Sequence, residues 1–112
     1  TSALSSQQTN LIRMAVQYIE TTTDYTISLD FLAEKLGISK YYFIRLFRQY
    51  TGHTPMEYLQ QVRLRRACSL LGNKEYSIGQ VSEILGYSTP YHFSSAFKNC
   101  FGISPTQYRK LL

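Results

Sequence analysis

Long apolar runs are missing from this 112-residue chain. None approaches the roughly 18 residues that cross a bilayer, so a membrane-spanning helix is excluded and no membrane partner is expected. Cysteine is nearly absent too. Cys68 and Cys100 fall inside helical patterns with no His or Cys at metal-ligand spacing, which argues against zinc and leaves both as small helix-packing residues. Catalytic constellations are also lacking: His53 and His92 sit in unlike contexts, no Ser-His-acid or paired-carboxylate arrangement emerges, and no glycine-rich loop cradles a nucleotide. Neither enzymatic activity nor a cofactor or metal is expected. The start, Thr1-Ser2-Ala3-Leu4-Ser5-Ser6, has no basic stretch followed by an apolar one, so no signal peptide is read and a cytoplasmic location is expected. Its serines read as a cut made in a linker.

Acidic side chains run short over one stretch. Net charge is +5, yet residues 1 to 36 carry Arg13 and Lys35 against Glu20, Asp24, Asp30 and Glu34. Residues 40 to 66 carry Lys40, Arg45, Arg48, Arg63, Arg65 and Arg66 against Glu57 alone. Such a patch fits either a solvated basic face or the footprint of a polyphosphate, where neutralising phosphates releases condensed counterions.

What the chain does have, it has twice. Leu32-Ala33-Glu34-Lys35-Leu36-Gly37 returns as Val81-Ser82-Glu83-Ile84-Leu85-Gly86, and Phe43-Ile44-Arg45-Leu46-Phe47-Arg48 as Phe93-Ser94-Ser95-Ala96-Phe97-Lys98. Thr51-Gly52-His53-Thr54-Pro55-Met56-Glu57-Tyr58 then matches Phe101-Gly102-Ile103-Ser104-Pro105-Thr106-Gln107-Tyr108. Each copy is a short amphipathic helix, a glycine turn, and a second helix alternating core aromatics with basic or polar residues. That is the build of a helix-turn-helix, whose second helix lies in a DNA major groove. The offset between copies grows from 49 residues at Gly37/Gly86 to 50 at Phe43/Phe93, so the second turn is one residue longer.

No strand candidate survives, and the fold is expected to be all-α with about seven helices. A first helix over about Ser6 to Thr21 packs through Leu11, Ala15, Tyr18 and Ile19, with Ile12 and Val16 widening the stripe. Ser28 caps a helix over Leu29 to Leu36, ended by Gly37; Ser39 opens the next and Gly52 closes it. Thr54-Pro55-Met56-Glu57 combines a capping threonine, proline at the first helical position and a returning glutamate, opening a helix to Leu71. Along it, Tyr58, Leu59, Val62, Ala67, Leu70 and Leu71 are available for packing. Ser77-Ile78-Gly79-Gln80 and Ser104-Pro105-Thr106-Gln107 repeat the capping pattern, and Pro90 is expected near the first position of its helix. The first unit spans about 29–52, the linker helix about 55–71 and the second unit about 78–102.

These residues resemble the C-terminal DNA-binding domain of the AraC/XylS family of bacterial transcription regulators. The second unit carries the family signature in Gly86-Tyr87, Tyr91-His92-Phe93, Phe97-Lys98, Phe101-Gly102, Ser104-Pro105 and Tyr108-Arg109. The first matches through Leu32-Ala33, Gly37-Ile38-Ser39, Phe43, Leu46-Phe47, Gly52 and Tyr58, and the bridging helix through Arg63-Leu64, Ala67 and Leu70-Leu71. The resemblance covers about Gln8 to Leu112 and treats residues 1–112 as one such domain. It implies two recognition helices, three and six, held by a long helix four and entering consecutive major grooves of double-stranded promoter or operator DNA. It also implies a sensor or dimerisation domain elsewhere in the full-length protein; RNA polymerase is a candidate protein partner for the aromatic-rich helices. A stiff spacer facing grooves about 34 Å apart would require the duplex to bend.

Within helix three, Phe43, Leu46 and Phe47 face inward and Lys40, Tyr41, Ile44, Arg45 and Arg48 outward. Arg45 is the base reader, since a guanidinium gives two parallel hydrogen bonds to guanine; its competing role is a surface ion pair with Glu34. Tyr41 is placed for a thymine methyl or a phosphate, Ile44 for a thymine methyl, and Tyr42 for packing as readily as for DNA. Lys40 and Arg48 suit phosphates on either side of the groove. Helix six offers Pro90, Tyr91, Ser94 and Ser95 to bases and Lys98 to a phosphate, with Ser95 where many relatives carry arginine. His92 reads as a packing or backbone-bonding residue. Amides at the helix starts Ser39, Thr54, Ser88 and Ser104 are further phosphate candidates. Arg63, Arg65 and Arg66 cannot all face one way, and Arg63 falls at a family position expected to serve an intramolecular contact. The competing function is a helical protein-interaction module without DNA binding, for which ten tyrosines would suit an interface.

Overall fold

The computed structural model describes residues 4–112; the reading of the serine-rich start falls in part on Thr1 to Ala3, outside the described residues. Every element there is helical: α1 (Ser6–Thr21), α2 (Leu29–Leu36), α3 (Lys40–Thr51), α4 (Pro55–Leu71), α5 (Ile78–Ile84), α6 (Pro90–Phe101) and α7 (Pro105–Lys110). Local chemistry sets these bounds. The hydroxyls of Ser5, Ser28, Ser39, Ser77 and Ser104 each accept the N–H three residues on, satisfying a donor the first turn leaves unpaired. Gly37 and Gly86 stop their helices in the left-handed region, at φ 71° and 78°, where a side chain would be strained.

The chain divides at Gln60/Gln61 into two compact units. In the first, α1, α2 and α3 pack on one another over a core of Ile12, Ala15, Ile19, Leu32, Ala33, Phe43, Leu46 and Phe47. The face of α1 is rotated from the expected stripe: Ile12 is buried, and Leu11 and Tyr18 only flank it. Apolar pairs at 11–12, 15–16 and 18–19 allow either setting in sequence, and packing selects the Ile12-Ala15-Ile19 line. In the second unit α6 packs on α5 and α7, burying Val81, Leu85, Phe93 and Phe97.

Aromatic packing repeats between the units. Phe43 meets Phe47 edge-on at 5.7 Å and Phe47 meets Tyr58 at 5.6 Å. Phe93 meets Phe97 at 5.9 Å and Phe97 meets Tyr108 at 5.5 Å. Such edge-to-face pairs align positive ring edges with negative faces, adding about 0.5–1.5 kcal/mol each beyond area burial.

Helix α4 is continuous through the division point, and its buried residues are not one stripe. Leu59 lies before the division, and Val62, Leu64, Ala67 and Leu71, also buried, lie after it. Leu64 thus joins the core, whereas Leu70 is half-buried. Arg109 ties α7 to the end of α4, donating through Nε to the Leu71 carbonyl at 2.9 Å and through Nη2 to the Asn73 carbonyl at 3.3 Å. A guanidinium there satisfies carbonyls that the last turn leaves open and complements the negative helix end.

The packing role expected of both cysteines holds for neither in full. Cys68 is half-buried against the Tyr108 hydroxyl, and that thiol contact holds the phenol above its ordinary pKa. Cys100 is exposed in the last turn of α6, although periodicity puts it inward.

Candidate nucleic-acid interface

The two helix-turn-helix units match down to single hydrogen bonds. The Ile38 N–H donates to the Ala33 carbonyl at 3.1 Å, and the Tyr87 N–H donates to the Ser82 carbonyl at 3.1 Å. After those turns the copies part by one residue. The next helix is capped by Ser39 in the first unit and by Thr89 in the second, whose hydroxyl accepts the His92 N–H at 3.1 Å. Ser88 is therefore the inserted residue and not the helix start expected of it. The fixed φ of Pro90 at the first helical position leaves the cap to the residue just before it. The Ser88 hydroxyl instead bonds Nδ1 of His92 at 2.7 Å, and His92 is exposed, so its ring makes this side-chain pair where packing or a backbone bond was expected. Ser82, the buried polar residue of the second unit, donates to the Thr89 carbonyl at 3.2 Å and pins the longer turn. Ala33 fills that place in the first unit.

Phe43, Leu46 and Phe47 sink one side of α3 into the core, and the opposite side carries Tyr41, Arg45 and Arg48, all exposed. Their spacing of four and three residues makes one stripe. On α6, Phe93 and Phe97 are buried, and the same geometry presents Tyr91, Ser95 and Lys98. Tyr41 is 77% exposed and Tyr91 76%, so neither aromatic ring is held by packing. Ile44 and Ser94 lie half-buried on one flank of these stripes; Lys40 and Pro90 open the helices.

Charge on the first stripe is partly engaged. The Arg45 guanidinium lies 5.3 Å from the Tyr42 ring centroid, a cation–π placement, and not in the surface ion pair that was its alternative. Lys40 extends 3.6 Å from Asp30 and 5.5 Å from the Tyr41 ring centroid. Both ends of that ion pair are well exposed, so it stabilises little and can yield to a stronger anion. Arg48 and Lys98 stand exposed in the last turns of their helices. Arg63 turns inward, as its position implied: its Nε donates to the Leu85 carbonyl at 2.7 Å and its guanidinium sits 3.7 Å from the Tyr87 ring centroid.

Helix starts differ in what they can offer an anion. The Thr54 N–H is taken by Glu57 Oε1 at 2.8 Å and the Ser104 N–H by Gln107 Oε1 at 2.9 Å; Pro55 and Pro105 have no N–H, and the cap hydroxyls take the Glu57 and Gln107 amides, leaving those of Met56 and Thr106. The Thr54 backbone N–H and hydroxyl, with lesser help from Arg48 and His53, hold Glu57 below the ordinary carboxylate range. Among the described residues no cluster of His, Cys, Asp or Glu is assembled for a metal, and no helix is long and apolar enough to cross a membrane.

Sequence reasoning missed three features of this surface: the Thr89 cap, the Ser82 tether and the engagement of Lys40 by Asp30. Only the first had a sequence signal, threonine immediately before proline.

A helix-turn-helix domain family matches residues 32–111. The regulatory protein SoxS of Salmonella typhimurium is 35% identical over 109 residues, covering 97% of this chain and 100% of that protein. An AraC-type transcriptional regulator from Chromobacterium violaceum superimposes with a TM-score of 0.83 at 34% identity, covering 95% of each chain. The DNA-binding domain of AdpA, solved with a target DNA, superimposes at 0.74 with 26% identity, covering 96% of this chain and 93% of that one. Against three other bacterial regulators the chain spans only 28%, 27% and 26% of their length. With the repeated cores, turns and exposed stripes already in place, the chain belongs to the AraC/XylS family of helix-turn-helix transcription regulators, as a DNA-binding domain.

Proposed function

We propose that α3 and α6 each enter a major groove and that the two grooves are consecutive on one duplex. The observation that carries this is the repeated stripe: Tyr41-Arg45-Arg48 opposite the buried Phe43 and Phe47, and Tyr91-Ser95-Lys98 opposite the buried Phe93 and Phe97. Base contacts come from Tyr41, Ile44 and Arg45 in the first unit and from Pro90, Tyr91, Ser94 and Ser95 in the second. Lys40, Arg48 and Lys98 meet phosphates and set register, with amides at the starts capped by Ser39, Thr54, Thr89 and Ser104 adding to them. Lys40 exchanges Asp30 for a phosphate on binding. Readout is unequal, because Arg45 can hold guanine with two hydrogen bonds while Ser95, one short hydroxyl, pairs with several bases.

In the whole protein this domain would regulate transcription in the cytoplasm at a promoter or operator, in concert with RNA polymerase and with a sensor or dimerisation domain. The test is selection of bound duplexes from random DNA, followed by salt titration. Two conserved half-sites about one helical turn apart are expected, with a log–log slope of about 0.9 per neutralised phosphate. Arg45→Ala should weaken specific binding by about 1–3 kcal/mol and relax one base pair. A slope near zero, or a single half-site, overturns the proposal.

A further inference from the structure

Beside the groove-facing stripe runs a chain of contacts that begins far from it in sequence. The Gln8 carboxamide, in the first turn of α1, accepts the Ser5 N–H through Oε1 at 2.9 Å, closing the capping box. Its Nε2 then donates to the Tyr42 hydroxyl at 2.9 Å, across 34 residues of sequence. Reversing the amide would set Nε2 against the Ser5 N–H, donor against donor, so the cap of α1 dictates which atom Tyr42 receives. Tyr42 is half-buried, and one helical turn on, the Arg45 guanidinium lies 5.3 Å from its ring centroid. Residues three apart on a helix are neighbours, and a ring fixed at its hydroxyl end offers a fixed shelf to the guanidinium.

The second unit supplies an internal contrast. There the counterpart of Arg45 is Ser95, with no long side chain to hold. The counterpart of Tyr42 is His92, and its ring nitrogen is bonded to Ser88, within its own turn. The aromatic shelf thus occurs in the unit that has an arginine to place.

We propose that Gln8 and Tyr42 are positioning residues for Arg45: α1, through one amide and one ring, presets the guanidinium that reads DNA. This rests on the assignment of Arg45 to bases. Arg45 has several freely rotating bonds, and ordering them before binding removes an entropic cost that otherwise opposes recognition. The ring does not touch the base. It narrows the guanidinium to the orientation in which two parallel hydrogen bonds can form.

The test measures base preference at the pair that Arg45→Ala relaxes, with matched and single-substituted duplexes, for Tyr42→Leu, Tyr42→Phe and the double variant Tyr42→Leu/Arg45→Ala. Tyr42→Leu should lower discrimination at that pair about two- to fivefold, the scale of an exposed cation–π contact. It should leave affinity for unrelated duplexes and helical circular dichroism unchanged. Tyr42→Phe, which keeps the ring but not the Gln8 bond, should fall between parent and Tyr42→Leu. In the double variant the Tyr42 change should add nothing. Equal loss on every duplex, or an undiminished effect in the double variant, makes Tyr42 a packing residue and overturns the proposal; Tyr42→Phe equal to the parent removes Gln8 from it. A readout without DNA separates this from the reading beneath it: the Arg45 Nε–Hε resonance should be ring-current shifted in the parent and return to the free position in Tyr42→Leu. An unshifted parent resonance overturns the relay. Arg45→Ala with unaltered base preference overturns the base assignment instead.

Discussion

Arg63 offers a sharp test, because its contacts with Leu85 and Tyr87 point into the second unit while its charge belongs to the basic stretch of residues 40 to 66. Replacing it by methionine keeps an aliphatic stem for packing but removes the bond from Nε to the Leu85 carbonyl at 2.7 Å and the guanidinium 3.7 Å from the Tyr87 ring centroid. A hydrogen bond to a charged donor contributes about 1.5–3 kcal/mol, more than a neutral one, because the low local dielectric strengthens it. The cation–π contact adds about 0.5–2 kcal/mol, depending on how far it is desolvated. Arg63 is half-buried, so water can reach part of what is exposed and the lower halves of these ranges apply. The expected loss is about 2–3 kcal/mol, or a fall in Tm of about 8–12 °C for a chain of this size. Arg63→Lys keeps the charge but not the planar fork and should recover less than half of the loss. Urea unfolding measures the loss, and salt titration on duplex DNA supplies the second arm. Because the guanidinium is spent inside the protein, the folded variant should keep the parent slope. Destabilisation under about 0.5 kcal/mol refutes the energetic reasoning. A slope reduced by about 0.9 refutes the intramolecular assignment, since that is one phosphate contact.

Other expectations concern local chemistry. Ser82→Ala should cost about 1 kcal/mol in urea unfolding, because Ala33 shows that alanine fits the site and only the bond to the Thr89 carbonyl is lost; no measurable change would dismiss the tether. Gly37→Ala should cost about 1–2 kcal/mol from backbone strain alone, since φ is 71° and an added Cβ meets nothing within 4 Å. Glu57 has a folded pKa depressed below its reference value of 4.5, so its cap contributes stability that is complete above that value and is lost as pH falls through the folded pKa. Glu57→Gln, which copies the Gln80 and Gln107 caps, should remove that share of the acid dependence while leaving α4 capped. An unchanged acid limb in circular dichroism would show that the carboxylate contributes nothing there.

Helix limits were legible because the groups that set them are local. Serine or threonine followed three residues later by Glu or Gln, with glycine or proline as punctuation, is short-range chemistry that survives without tertiary context. Where two hydroxyls stood side by side, at Ser88-Thr89, the same logic named the wrong one, although Pro90 already required its cap to be adjacent. The inward aromatics of α3 and α6 followed from their four-residue spacing, and so did the exposed stripes opposite them. Contacts between distant segments had no such signal: Gln8 with Tyr42 and Arg109 with Leu71 are separated by 34 and 38 residues, and nothing local distinguishes these side chains. Charge told where cations gather, but not that Lys40 would be drawn to Asp30 while Arg45 settled on a ring. Those choices depend on a few ångströms of tertiary placement.

The copies keep the same aromatic framework, although smaller core residues are exchanged, Leu32 for Val81 and Leu46 for Ala96. Phe43, Phe47 and Tyr58 are repeated in kind by Phe93, Phe97 and Tyr108, with ring separations that agree within about 0.2 Å. Outside that core, Arg45 becomes Ser95, Ile44 becomes Ser94 and Lys40 becomes Pro90. A close-packed interior feels a single methylene, so the large rings that set the packing are held while smaller neighbours are exchanged together. Exposed positions carry no such penalty and are free to diverge. The extra residue in the second turn obeys the same division: Ser82 and Thr89 absorb it with one hydrogen bond, leaving Phe93 and Phe97 in register. Under the proposed readout, a duplicated scaffold holds two unlike readers, one built around a guanidinium and one around hydroxyls, and an asymmetric binding site is expected from that difference.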